Sequence, residues 1–448
     1  MRTIIVISLV GFSQCVPHSQ AIGQWKNPED QFSEGYRQLE SWCHIAKTLE
    51  KGLVDGFFLA DIHGIYDVYG NSRDAAHRYA VQTPGVDPML LTSAMANVTT
   101  HLGFINTYST TFHAPYECAR AFSSLDHFTN GRIGWNIVTS YTHSAEANGI
   151  GKMLNHDKRY DRADEFMDVV YKLWESSWEK DAVIQDVEKD AHTDPCKVHE
   201  INHIGEHFSV KGPHMCEPSI QRTPVLFQAG ASKRGSEFGT KHAEGIFMEY
   251  PRFFEDAEFM TNKISKLRKQ VSEHGREPHS VKIMMAITPI VAPSEKEALE
   301  KETWLKQFNS PEGHLALFGG HTGIDLEGLD YDTPIENINL EGMQHIALKW
   351  KGKTITQMLS QRPPTCVGST KQVVDRMEEL ISYGVDGFVV HPMIQPQSHE
   401  DLVNLIIPEL QKRKLFRTKY DHSTLRGNLL GSEDGLSDSN HPSAKYRP

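Results

Sequence analysis

Eight short, almost continuously apolar runs, each followed by an amphipathic stretch, constrain this chain more than any other feature. The runs are Ile4–Val10, Asp55–Ala60, Leu102–Thr107, Arg132–Thr139, Pro224–Ala229, Gly245–Glu249, Val281–Ile290 and Asp386–His391. A strand buried on both faces needs apolar side chains at successive positions, so such runs mark parallel strands covered by helices. Helical periodicity fills Gln31–Lys51, Pro88–Thr100, Pro115–Thr129, Arg159–Ser176, Lys233–His242, Glu255–His274, Glu295–Thr303 and Lys371–Tyr383, and Glu400–Lys412 follows the eighth run. Strand–helix alternation repeated eight times predicts an α/β fold, a closed (β/α)8 TIM barrel. The alternative is an open, doubly wound sheet. That fold places a glycine-rich phosphate turn after its first strand, and Val10-Gly11-Phe12-Ser13 is not one.

Two stretches exceed the repeat. Residues 179–220, polar and rich in His, Asp and Pro, separate the fourth and fifth strands. Residues 306–366, with Gly319-Gly320, Gly323 and Pro363-Pro364, precede the last repeat. Segments this long read as insertions or lids. We expect one barrel domain over 1–426 carrying these two insertions, and a Gly-, Ser- and Asp-rich tail, 427–448, that is loosely held.

The chain of 448 residues is within the range of barrels with insertions. A net charge of −12 leaves no basic excess to neutralise phosphates, which excludes a nucleic-acid binder. Six scattered cysteines without a CxxC pair point to a reduced, cytoplasmic chain. The start, Met1-Arg2-Thr3 before Ile4–Val10, fits a short secretory segment or a buried first strand; the β-branched Ile4, Ile5, Val6 and Ile7 favour the strand. No later stretch approaches the ~20 apolar residues of a membrane span.

Chemistry in such barrels sits at the C-terminal strand ends. Here those ends carry Asp61-Ile62-His63 with Tyr66, Asn106-Thr107, Trp135-Asn136, Thr139-Ser140 and Gln228-Ala229-Gly230-Ala231-Ser232, and the first strand runs toward Cys15 and His18. The turn at Gly230–Ser232 allows close backbone approach, and the free N–H groups of the next helix attract a phosphate. Ser232 reads equally well as a plain N-cap, Asp61 as a turn cap and Asn136 as a partner for a buried backbone group. His156 and Tyr160 are four apart at a helix start and share a face. None of the 24 histidines falls in a His-x-His pair and no compact carboxylate cluster appears, so no metal is expected, and no GxSxG elbow marks a serine hydrolase. The residues alone lead to a barrel enzyme with a phosphate-bearing ligand. A phosphosugar isomerase or aldolase stays open at that point.

The same residues carry a resemblance. Phe58-Leu59-Ala60-Asp61, Gly64-Ile65-Tyr66-Asp67-Val68-Tyr69, Gly131 through Ser140, His156 through Tyr160, Thr193-Asp194-Pro195 with Val198 through His203, Gln228-Ala229-Gly230, Pro408 through Arg413 and Ala444-Lys445-Tyr446-Arg447 occur in order and at matching spacing. They resemble the bacterial-luciferase-like flavin-dependent monooxygenases, in the branch containing the nitrilotriacetate and dibenzothiophene-sulfone enzymes. Through Thr193–His203 and Glu312-Gly313-His314-Leu315-Ala316 the likeness is greatest to the long-chain alkane monooxygenase type.

The resemblance implies the oxygenase component of a two-component system and a homodimer or homotetramer. FMN would arrive as FMNH2 from a separate NAD(P)H:flavin reductase, and O2 would give one oxygen atom to a small organic substrate through a C4a-(hydro)peroxyflavin. It places Asp61, Thr107 and Asn136 around the flavin ring, and His156, Tyr160, Gly230 and Ser232 at its phosphate. Cys15, His18, Tyr66, Gln82, Asn136 and His314 match catalytic positions on the substrate side. An alkane-type substrate is favoured; a sulfone, other organosulfur or amine substrate is the alternative, and a flavin-binding relative without activity is the other. Tyr141 stands where the alkane type has His, His63 replaces a small apolar residue, and the opening strand lacks the family's Asn-Ala-Phe pattern.

Overall fold

The computed structural model describes residues 6–148, 153–230, 232–251, 256–335, 344–360 and 365–447. Eight parallel strands close into a barrel: β1 (Ser8–Gln14), β2 (Gly56–Ala60), β3 (Gly103–Ser109), β4 (Ile133–Val138), β5 (Val225–Gln228), β6 (Gly245–Met248), β7 (Lys282–Ile287) and β8 (Gly387–Val390). β1 pairs with both β2 and β8, which leaves no sheet edge. Alternate side chains divide between two cores, as the period of a strand requires. Val10, Phe12, Phe58, Ile105, Phe227, Met284 and Val389 fill the barrel, while Leu9, Phe57, Phe104, Trp135, Leu226 and Phe388 pack outward against the helices.

The first strand differs from its expected bounds. It begins at Ser8 and runs to Gln14, and Ile4 and Ile5 lie outside the described residues. Hydrophobicity ends the run at Val10, but the barrel continues it. Gly11 through Gln14 pair with Phe57 through Ala60, and the Ser13 hydroxyl finds Gln395 Oε1 at 2.7 Å.

Helices Pro115–Thr129 and Lys233–His242 have their expected bounds. The helix expected from Arg159 starts earlier, at His156, because the Asn155 side chain accepts from Lys158 N and caps it. The stretch expected as Gln31–Lys51 divides into Phe32–Gly35 and Leu39–Lys51.

Both insertions have structure of their own. Residues 179–220 hold two small antiparallel pairs, Val183–Asp186 with Ala191–Thr193 and His203–Ile204 with Ser209–Val210. Within 306–366 lie helices Pro311–Thr322, Gln344–Trp350 and Ile355–Ser360, around a cluster of Leu315, Phe318, Leu326, Ile335, Trp350 and Met358. Gly319 and Gly320, read from sequence as lid glycines, are close-packing residues inside the first of these helices. A Cβ on Gly320 would lie 2.2 Å from the Tyr66 ring. Pro363-Pro364 lies outside the described residues.

The expected loose tail is corrected by the structure. Helix Leu425–Leu430 plugs the N-terminal end of the barrel, with Leu425 and Leu429 in the inner core. Glycines make room for it: a Cβ on Gly103 would meet Leu425 Cδ1 at 2.5 Å, and one on Gly134 would meet Leu425 Cδ2 at 3.1 Å. Arg426, fully buried, donates from Nε and Nη2 to both carboxylate oxygens of Glu244 (2.8 and 2.9 Å). Farther on, His441 Nε2 meets His242 O at 2.8 Å and Arg447 Nε donates to Glu175 Oε2 at 2.9 Å. Polar composition suggested looseness, but these polar groups are spent on buried partners.

Candidate active site

The C-terminal strand ends open into one cavity of about 820 Å³. Its floor is apolar and aromatic: Phe12 stacks on His391 at 3.8 Å, and Phe58 on Phe247 at 4.8 Å. Burial pushes the His391 imidazole down to about 3, so it stands neutral on that floor. The second insertion supplies the roof, through Leu317, Phe318, Trp350 and Met358.

Asp61, Gln82, Thr107, Asn136, Gly230 and Ser232 all line this space. Asn136 Nδ2 donates to Thr107 Oγ1 at 3.0 Å, and its Oδ1, buried, has no protein partner. A buried acceptor left unsatisfied carries a real cost, so a donor from a bound molecule belongs there. Burial, aided by the nearby Asp87 charge, raises Asp61 to about 7. Since that value lies above the ordinary carboxylate range, ionisation of Asp61 disfavours the folded state. Its cost is absent below about pH 4 and develops as pH rises through about 7. Asp61→Asn is therefore expected to remove part of the loss of thermal stability between those limits. Unfolding temperatures of the two proteins across that range check it; parallel curves refute it.

At one end of the cavity Ser232 caps helix Lys233–His242, its hydroxyl accepting from Gly235 N at 3.0 Å. Gly230 and Gly235 bring the turn against Tyr160. A Cβ on Gly230 would lie 2.9 Å from Tyr160 Oη, and one on Gly235 would lie 2.7 Å from it. His156 meets Tyr160 edge-on at 5.3 Å, and Arg234 stands 5.7 Å from the same ring. Gly230, Ser232 and Lys233 line the cavity's edge at this helix start, where N–H groups attract anions; Tyr160 and His156 stand behind the turn and are not among the lining residues.

The remaining expected residues sit deeper. Tyr66 is buried behind the wall; its hydroxyl bonds to Gln82 Oε1 (3.0 Å) and to the hydroxyl of Tyr141 (2.7 Å), which does reach the cavity. Burial holds both phenols above their ordinary range, so both stay protonated. Cys15, His18 and His314 are buried and are not among the residues lining the cavity. Burial raises the Cys15 thiol, which keeps it protonated. The same cause lowers His18, whose Nδ1 meets Ser19 O at 2.9 Å. Among the described residues, no group of three His, Cys, Asp or Glu is placed to hold a metal ion.

Sequence reading missed several wall residues. His391 ends an expected strand, so its position was a usable signal. Trp350, Met358 and Phe318 come from the insertion, and Lys263, Lys266 and Gln270 from helix Ala257–Glu273. No strand end announces those.

A sequence profile of the luciferase-like monooxygenase family matches residues 23–387. The chain is 46% identical to a long-chain alkane monooxygenase of Geobacillus thermodenitrificans, over 97% of this chain and 96% of that one. It is 44% identical to a dimethyl-sulfide monooxygenase of Hyphomicrobium sulfonivorans, over 97% and 92%. A riboflavin lyase crystallised with a modified FMN and riboflavin superposes with a TM-score of 0.93 at 35% identity, covering 99% of this chain and all of the other. A barrel with its polar strand ends gathered into one roofed cavity, and relatives matched along nearly its whole length, place this chain in the luciferase-like monooxygenase family, as a flavin-dependent monooxygenase.

Proposed function

We propose that the chain is the oxygenase component of a two-component system that takes up FMN in its reduced form from a separate NAD(P)H:flavin reductase. One observation carries the reading: the anion seat at Ser232 opens into the same space as the unsatisfied Asn136 carbonyl and the apolar floor. A phosphate at one end, a hydrogen-bonding heterocycle in the middle and an apolar surface beneath it are the parts of FMN.

Ser232, Gly230, Tyr160 and His156 would hold the phosphate, and Asp61, Thr107 and Asn136 would meet the ring. When bound, the reduced flavin supplies the two electrons that activate O2, which protein side chains cannot do. The chain's own task is to orient substrate beside that ring and keep water out. Phe318, Leu317, Trp350 and Met358 exclude water from above. The Gln82–Tyr66–Tyr141 chain of hydrogen bonds fixes the Tyr141 hydroxyl in the wall.

The substrate is a small, largely apolar molecule of the long-chain alkane type. An organosulfur substrate is the second reading, favoured by that Tyr141 hydroxyl, which gives a polar oxygen or sulfur something to bond. The protein works as a cytoplasmic homodimer or homotetramer. With FMN, NADH, a heterologous flavin reductase and ¹⁸O2, it is expected to put one labelled atom into hexadecane, dimethyl sulfide or dibenzothiophene sulfone. Failure to bind reduced FMN in an anaerobic titration overturns the reading.

A further inference from the structure

Beside the cavity stands a pair of histidines that neither the phosphate seat nor the Tyr66 chain uses. His63, in the loop after β2, lines the cavity. Its Nε2 lies 3.1 Å from Nε2 of His113, in the loop after β3, so one imidazole donates to the other. His113 is not among the lining residues; it is half-buried, next to the exposed Ala114. The arrangement is held firmly. His113 stacks flat on Tyr108 at 3.8 Å, and the backbone carbonyl of Tyr108 accepts from Trp135 Nε1 at 3.0 Å. Phe112 packs on His63 at 5.1 Å, and the His63 carbonyl accepts from Asn148 Nδ2 at 3.2 Å.

We propose that His63 and His113 form a two-imidazole proton relay between solvent and the chamber in which oxygen transfer takes place. The inference rests on the monooxygenase reading above. With the flavin reduced as its anion, the reaction of that anion, O2 and substrate needs one proton to yield oxidised flavin, oxygenated substrate and water. Both electrons come from the reduced flavin, and the O–O bond is the one that breaks. The proton goes to the oxygen that leaves as water.

The roofed, largely apolar part of the cavity leaves little water to deliver that proton, and an imidazole can pass one because it accepts on one nitrogen as it donates from the other. Nε2 of His63 is engaged by His113, which leaves Nδ1 to serve the cavity. His63 recovers its proton at Nε2 from His113, and His113 recovers it from solvent. Burial, with the neighbouring imidazole second, brings His113 down to about 4; burial lowers His63 against the opposing pull of Asp87. Both rings are thus neutral near pH 7, the state in which one carries the proton the other accepts.

Two measurements test this. In the first, wild type, His63→Asn, His113→Gln and His113→Gly are run with FMN, NADH, a flavin reductase and dimethyl sulfide, and oxygenated product and H2O2 are counted against NADH. The variants are expected to lose product by on the order of tenfold or more, with H2O2 rising to match. Free imidazole should restore part of the yield in His113→Gly only. Wild-type coupling in His113→Gln overturns the relay. In the second, ring ¹⁵N spectra of the flavin-free protein labelled at histidine are compared between wild type and His113→Gln. The His63 signals are expected to shift with loss of the pair, and unchanged His63 signals overturn it. If the pair is intact by NMR but wild type oxygenates nothing, the monooxygenase reading fails on its own account and takes the relay with it.

Discussion

Ser232→Asp is expected to lower the affinity for FMN by roughly a hundredfold to a thousandfold while leaving the fold unchanged. Two unit charges about 4 Å apart repel by about 4 kcal/mol at an effective dielectric of about 20, and solvent near the cavity edge reduces that somewhat. Each 1.4 kcal/mol is tenfold in affinity. The substitution isolates charge because Asp caps a helix as well as Ser does. The Ser232 hydroxyl accepts from Gly235 N, and a carboxylate oxygen can do the same. Ser232→Ala is the control: it loses the cap, about 1 kcal/mol of stability, without adding charge. Anaerobic titration of all three proteins with reduced FMN, beside their unfolding temperatures, gives the answer. Equal affinity in Ser232→Asp moves the phosphate away from this turn.

The largest loss of stability is expected at the opposite end of the barrel. Arg426→Met leaves the Glu244 carboxylate buried without its cation, and breaking one side of such a pair costs about 3–5 kcal/mol. Burial by itself works to raise Glu244, but the Arg426 guanidinium overrides it and holds the carboxyl at about 2. A depressed value means the pair's contribution is present above about pH 4.5 and fades as pH falls through about 2. The deficit of Arg426→Met should accordingly be full at pH 7 and shrink on acidification, where Glu244 can take up a proton. Arg426→Met with Glu244→Gln should recover much of the loss, because no charge is left buried. Thermal scans at one fixed rate across pH 2–8 read this directly. A deficit near zero at pH 7 would sink the idea that helix Leu425–Leu430 locks the barrel floor.

The Arg426–Glu244 pair also marks where sequence reading ends. All eight barrel strands were legible, since a strand buried on both faces leaves an apolar run, but the expected seventh, Val281–Ile290, divides: Lys282–Ile287 enters the barrel and Pro289–Ala292 pairs with Cys366–Ser369 outside it. The bounds of β1 were not, because Ser13 and Gln14 are polar and their strand conformation comes from pairing with β2. The helix start at Ser232 was legible as well, because a serine directly before a helical stretch is a local capping signal. The Tyr66–Gln82 contact joins residues sixteen apart in sequence, and only folding brings Tyr141 onto it.

The sequence by itself determined that this chain makes a parallel barrel and that its strand ends carry polar groups, because both follow from local periodicity. What only the tertiary structure decided is which of those groups face a common space. Cys15, His18 and His314 went behind the wall, while His63 reached the cavity and found His113, fifty residues on. The sense of the tail was decided there too, since a polar segment cannot announce buried partners that lie some two hundred residues away. Such pairings depend on how the strands close around the barrel, a long-range fact that no window of sequence contains.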